Sequence, residues 1–132
     1  MTHDELRLRP DPTELGRARR FAGAAAERFG LSHRERDDFK LAASEAVANA
    51  LEHGLPCWDG AIHVWITERE DTLVLGIRNG GEFMFDLPPA DPFAERGRGL
   101  PMISNLVDRV ALRRVGGHIQ MELSKGHVNG DG

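Results

Sequence analysis

Glu45 and Asn49 are the residues whose types and spacing best suit chemistry. Both lie in the stretch 39–54, FKLAASEAVANALEHG. Read as a helix at about 100° per residue, the stretch puts Phe39, Ala43, Ala46, Val47 and Ala50 on one side, an apolar face for a core. Asp38, Glu45, Asn49 and Glu52 gather on the opposite side, with His53 at the edge of that polar stripe. Glu45 and Asn49 are four apart and therefore neighbours on one surface. A carboxylate beside a carboxamide can serve as a base next to a magnesium ligand. An ordinary solvated helix face carries the same residues, and the helix alone favours that plainer reading.

Two glycine-containing stretches follow. Asn79-Gly80-Gly81-Glu82-Phe83 sits at the end of a strand-like run, and Gly97-Arg98-Gly99-Leu100 at the start of a helix-like one. Glycines just before a helix let backbone N–H groups approach an anion, where the helix dipole favours negative charge. Glycine there is also common punctuation. The Walker pattern needs a Gly-Lys-Ser/Thr that is absent. The Rossmann fingerprint needs a third glycine, where Met102 stands, and a preceding strand, where a proline-rich stretch stands. The spacing of His53, Cys57 and His63 matches no zinc pattern. His53 reads as a helix-end residue favoured by the dipole. Trp58 and Trp65 read as packing or interface residues, and Arg17, Arg19 and Arg20 as a solvated helix face.

The elements that must position these groups follow from pattern. Residues 5–9 alternate as a short edge strand, broken by Pro10 and Pro12. Asp11 or Thr13 caps a helix running to about Phe29, and Gly30 ends it. Ser32 with Glu35 forms a capping box that opens the second helix, terminated by Gly54 and Pro56. Strands over 61–67 and 72–78 form an antiparallel hairpin, and 79–81 stops the second of them. Residues 87–96 read as a loop or lid. A third helix follows with Ile103, Leu106 and Val107 inward and Pro101 near its start. Strands over 109–114 and 118–124 flank a Gly116–Gly117 turn. This order predicts an α+β two-layer sandwich, helices packed on one face of a mixed, mostly antiparallel sheet.

Composition sets the outer bounds. The 132 residues make one domain, with a core over about 6–125 and a fraying tail over 126–132. No apolar run approaches the roughly 18 residues needed to span a bilayer, so no membrane partner is expected. Cys57 is the single cysteine, which excludes an internal disulfide and fits a cytoplasmic home. The net charge of −4 argues against direct nucleic-acid binding by general electrostatics.

The three stretches, in this order and with these gaps, resemble the N, G1 and G2 boxes of the GHKL ATPases, whose fold is the Bergerat type. Within that superfamily the length and the run SEAVANALEHG are most similar to the bacterial anti-sigma factor serine/threonine kinases. The resemblance covers about 6–125.

What the resemblance implies can be placed residue by residue. Glu45 matches the general base, and Asn49 the residue whose side-chain oxygen binds Mg²⁺; magnesium needs few protein oxygens because phosphates and water complete its shell. His53 and Gly54 match the end of the first box, near the nucleotide. In the second box the family uses an aspartate that accepts a hydrogen bond from the adenine amino group, and this chain has Asn79. An amide oxygen can accept that bond without the charge that strengthens it, and the amide NH₂ could instead donate to a different base. An aspartate at position 79 is then expected to tighten adenine binding. Gly81 matches the glycine that lets the purine pack close. Gly97 and Gly99 match the phosphate-loop glycines, Arg98 can reach a phosphate, and Leu100 continues into the helix. His118 replaces a threonine near the purine.

The implied function is an ATP- and Mg²⁺-dependent kinase. It would phosphorylate a small anti-sigma antagonist, hold a sigma factor, and form a homodimer. The alternative is a regulatory binding module of the same fold with weak or no kinase activity, motivated by Asn79 and His118.

Overall fold

The computed structural model describes residues 3–53, 55–80 and 99–126. Strand β1 (His3–Leu8) leads through a 3-10 turn (Pro12–Glu14) into helix α1 (Leu15–Phe29) and helix α2 (His33–His53). Strands β2 (Ile62–Arg69) and β3 (Thr72–Gly80), helix α3 (Gly99–Leu106), and strands β4 (Arg109–Val115) and β5 (His118–Gly126) complete the order. The sheet has five strands in the order β1-β2-β3-β5-β4. Every pairing is antiparallel, so no part of this sheet is mixed.

Local chemistry explains the boundaries. The Asp11 carboxylate accepts from the Thr13 N–H at 3.0 Å and opens the 3-10 turn. Gly30 ends α1 with φ of 93°, a left-handed conformation that suits glycine. The capping box closes in both directions: Ser32 N–H donates to Glu35 Oε1 at 2.7 Å, and Glu35 N–H donates to Ser32 Oγ at 3.1 Å. Such a cap stabilises a helix start by about 1 kcal/mol.

Helices α1 and α2 pack on each other through small side chains. Ala18, Ala22, Ala25 and Ala26 face Ala42, Ala43, Ala46 and Ala50, all buried. Arg19 Nε donates to the buried Ser44 Oγ at 2.9 Å and ties the pair, so this arginine is more than a solvated residue. Phe39 and Val47 on α2 meet Ile62, Val64 and Ile66 of β2, Leu73, Leu75 and Ile77 of β3, and Met121 and Leu123 of β5 in the core. Helix α3 adds Ile103 and packs against α2. The Lys125 ammonium donates to the Leu106 carbonyl at 2.8 Å, which anchors the C-terminal end of α3 to β5.

The opposite sheet face carries no helix among the described residues. Antiparallel sheets tolerate such exposure. The Arg78 guanidinium lies 5.6 Å from the Trp65 ring centre and donates to Gln120 Oε1 at 2.7 Å. Trp58 is 73% exposed, which fits the interface reading rather than packing; its ring meets His63 and His118 edge-on.

Glu14 is buried where β1 hands over to α1. Its carboxylate accepts from the Arg9 N–H at 3.0 Å and from Arg17 Nη1 at 3.0 Å. The Arg9 backbone bond, aided by the two arginine charges, holds its pKa below the usual range. A depressed pKa contributes stability above the unfolded-state value, about 4.3, and that contribution is lost as pH falls through the folded-state value. Glu14→Gln is therefore expected to melt below the wild type at pH 7. The gap should close as thermal scans are taken below about pH 4.

Candidate nucleotide site

The site begins with the rotation of α2. Its alanine face is pressed into the core, so Glu45 and Asn49 emerge one turn apart on the far side, both half-buried. The Asn49 Nδ2 is buried and has no partner among the described residues. His53 is the last residue of α2.

The end of α2 is fastened to the end of β3. Gly80 N–H donates to the Leu55 carbonyl at 2.6 Å, and the two residues form an isolated antiparallel bridge. A Cβ on Gly80 would overlap the Pro56 carbonyl oxygen, a backbone atom that cannot swing aside. Cys57 strengthens the same junction. Its N–H donates to the Ala61 carbonyl at 2.8 Å, and its thiol reaches the Arg78 carbonyl at 3.6 Å. Burial, with the Asp59 carboxylate adding to it, pushes the Cys57 thiol up, so it stays protonated.

The residues 79–81 do not stop β3 where expected. Asn79 pairs with Ile119 and Gly80 with His118, so the strand continues through both. That extension carries Asn79 onto the helix-facing side, in line with Leu75 and Ile77, where it is 0% exposed. Its Nδ2 donates to the Gly80 carbonyl at 3.1 Å, and its Oδ1 is buried without a partner. An unsatisfied buried acceptor costs roughly 1–3 kcal/mol.

The structure thus joins the chain just past α2 to the end of β3 at the Leu55–Gly80 bridge. Gly99 and Leu100 open α3, which packs on α2. Gly54, Gly81, Gly97 and Arg98 lie outside the described residues, as does the expected loop or lid over 87–96. His118 stands across from Gly80, on the sheet face opposite Asn79, with its ring centre 5.7 Å from that of Trp58. It therefore faces away from the side on which the purine was expected. From sequence, Gly80 is named in the second stretch and Pro56 as a helix stop, but neither Leu55 nor the contact among the three. Their signal was a glycine adjacent to a polar strand residue and a proline just past a helix end.

Comparison with known proteins places the chain among ATPase-type nucleotide domains. A family model described as a histidine kinase-like ATPase domain matches residues 8–124. The serine-protein kinase RsbW of Bacillus pumilus (strain SAFR-032) is 32% identical over 124 residues, covering 83% of this chain and 76% of the relative. The serine-protein kinase RsbW of Bacillus subtilis (strain 168) is 29% identical over 140 residues, covering 96% of this chain and 86% of the relative. The chain belongs to the RsbW family of anti-sigma factor kinases, within the histidine kinase-like (GHKL) ATPase domains.

Solved structures agree on the fold. The RsbU and RsbW domains of Rv1364c from Mycobacterium tuberculosis superpose with a TM-score of 0.72 at 20% identity, covering 96% of this chain and 32% of that longer one. The histidine kinase domain of Erythrobacter litoralis EL346 gives 0.57 at 17% identity, covering 87% of this chain and 60% of that one. No helix among the described residues is long and apolar enough to cross a membrane.

The junction yields a direct test. Gly80→Ala is expected to destabilise the fold by about 2–4 kcal/mol in urea titrations, as an overpacked, rigidly bounded site does. It should also weaken nucleotide binding, because it pushes the end of α2 from the end of β3.

Proposed function

We propose that this chain is a cytoplasmic, ATP-dependent serine/threonine kinase that acts on a small anti-sigma antagonist and controls a sigma factor by partner switching. One observation supports it above the others. Glu45 and Asn49 stand one turn apart on a helix whose end is bonded to the strand bearing a buried, unpartnered Asn79 acceptor. The residues fit the group. The Asn79 Oδ1 calls for a hydrogen-bond donor such as an adenine amino group, and the Asn49 side-chain oxygen suits a hard cation that prefers oxygen. When bound, Mg²⁺-ATP supplies the phosphoryl group and neutralises the charge that develops on it.

Each protein group then has a limited task. Phosphoryl transfer asks the protein mainly for positioning and charge stabilisation. Glu45 accepts the proton of the attacking serine or threonine hydroxyl. Asn49, one turn on, would hold the cation next to that base, since both ride on one rigid helix. Asn79 orients the base. His53, Gly54 and Gly81 border the nucleotide, and Gly97, Arg98, Gly99 and Leu100 form the phosphate end, where the start of α3 favours negative charge. Partner choice rests on the family relationship, as does the homodimer. Light scattering of the purified chain should therefore give twice 14.6 kDa.

The neutral amide at position 79 favours one other reading, a regulatory module that binds nucleotide and partner with little transfer. One experiment separates the two. Wild type and Glu45→Gln are incubated with γ-labelled ATP, Mg²⁺ and a purified anti-sigma antagonist protein. Glu45→Gln should bind ATP as wild type does and lose about 10²-fold or more in transfer, the usual worth of a general base. Equal transfer by both would remove Glu45 as the base. Binding without transfer by wild type would leave the regulatory module.

A further inference from the structure

The open face of the sheet carries a row of basic side chains in register. Arg7 stands opposite His63, His63 opposite Arg78, and both Arg78 and Arg113 opposite Gln120, across all five strands. Like charges set side by side on a sheet repel, so such a row needs compensation. At its ends compensation is present. The Asp59 carboxylate lies 2.8 Å from His63 Nε2 and 3.7 Å from Arg7 Nε, and Glu122 lies 3.6 Å from Arg113 Nη2. The middle is different. Arg78 is half-buried, and its Nε and Nη2 both donate to the neutral Gln120 Oε1, at 3.2 and 2.7 Å. Among the described residues it has no carboxylate partner, and the guanidinium edge that runs across Nη1 and Nη2 is open.

That guanidinium borders a trough of about 200 Å³ on β1, β2 and β3. Glu5, Arg7, His63, Trp65 and Arg78 line it, over Leu6 and Val64, whose side chains turn to the core. The lining is held in place. The Trp65 ring is seated on Gly76, where a Cβ would overlap the indole, and Arg78 lies 5.6 Å from the ring centre. His63 is fixed by Asp59 and by the edge of the Trp58 ring, whose centre is 5.2 Å away. A site whose walls are fixed by such contacts loses little on binding.

We propose that this trough binds a small planar carboxylate, an aromatic acid of about the size of benzoate. A carboxylate is the counter-ion that Arg78 lacks, and the open guanidinium edge matches it with two parallel hydrogen bonds. The indole offers an aromatic ring an apolar surface to lie against. One negative charge fits and two do not. Only Arg78 is uncompensated, and the Glu5 carboxylate in the wall opposes a second charge. That sets the ligand apart from phosphate and from nucleotides. The trough is also apart from the nucleotide corner, because Arg78 and Asn79 are consecutive on β3 and point to opposite faces of the sheet. The proposal therefore stands whether or not the chain binds ATP.

The test is an NMR titration of the ¹⁵N-labelled chain with benzoate, read at the Trp65 indole N–H and the Arg78 Nε–H. Trp58→Phe tells the two indole signals apart. Both signals should shift saturably, with a Kd of about 1 mM or tighter. Benzamide, the same shape without the charge, should bind at least about tenfold more weakly, and so should inorganic phosphate. Arg78→Lys keeps the charge without the fork and should weaken benzoate several-fold, and Arg78→Met should abolish the Trp65 shift. Excess Mg²⁺-ATP should leave the benzoate shifts in place. Benzamide equal to benzoate, phosphate as tight as benzoate, or displacement by Mg²⁺-ATP each overturns the proposal. Tighter binding of N-acetylglutamate amide than of benzoate overturns the planar ligand in favour of a partner protein's carboxylate. Absence of shifts at about 10 mM benzoate in folded wild type overturns the site altogether. The wild-type titrations decide even if neither Arg78 variant folds.

Discussion

The contact between Gly80 and the 55–56 backbone is the constraint on which the rest of the site depends. No side chain fits there, because the Pro56 carbonyl occupies the space a Cβ would need. The bond from Gly80 N–H to the Leu55 carbonyl draws the exit of α2 against the last residue of β3. Two segments separated by a whole hairpin thus become one rigid corner. The first box approaches from the helix and the second from the strand, and their relative position is set by backbone rather than by flexible side chains. A site built on such elements holds its geometry better than one built on loops.

The remaining packing serves that corner. The capping box sets where α2 begins, and its alanine face sets how it is rotated. Small side chains on both α1 and α2 bring the two helices close, and the Arg19–Ser44 bond pins their register. Lys125 holds the far end of α3. With rotation and register determined, Glu45 and Asn49 stay half-buried on α2, off its alanine face, while Asn79 faces the core. Among the described residues three buried polar atoms lack partners, Arg36 Nε, Asn49 Nδ2 and Asn79 Oδ1. Native structures seldom leave such groups unsatisfied, and violations of local rules concentrate at functional sites. Two of these three, on Asn49 and Asn79, fall within the candidate site, and the Arg36 atom lies near the start of α2.

What could be read from sequence was local. The Ser32–Glu35 cap, the Gly30 stop, the core face of α2 and the β2–β3 hairpin each rest on residues a few positions apart, and each is present. The fold class followed from element order. The errors all involve long-range contacts. Asn79 and Gly80 resemble a strand terminator, yet pairing with β5 and the approach of Pro56 keep them in the strand. His118 was placed near the purine by analogy of position, but strand alternation turns it to the other face. Trp58, read as a packing or interface residue, is exposed, which leaves the interface reading. The bond from Asn79 Nδ2 to the Gly80 carbonyl had no sequence signal, since it depends on where one carbonyl points.

The central claim is that the corner of α2 and β3 is a Mg²⁺-dependent ATP site. Calorimetric titration of the purified chain with ATP, run with and without Mg²⁺, tests it most directly. The account predicts saturable binding of one ATP per chain in the micromolar range, weakened at least several-fold when Mg²⁺ is withheld. No heat and no binding on folded protein under either condition would contradict it.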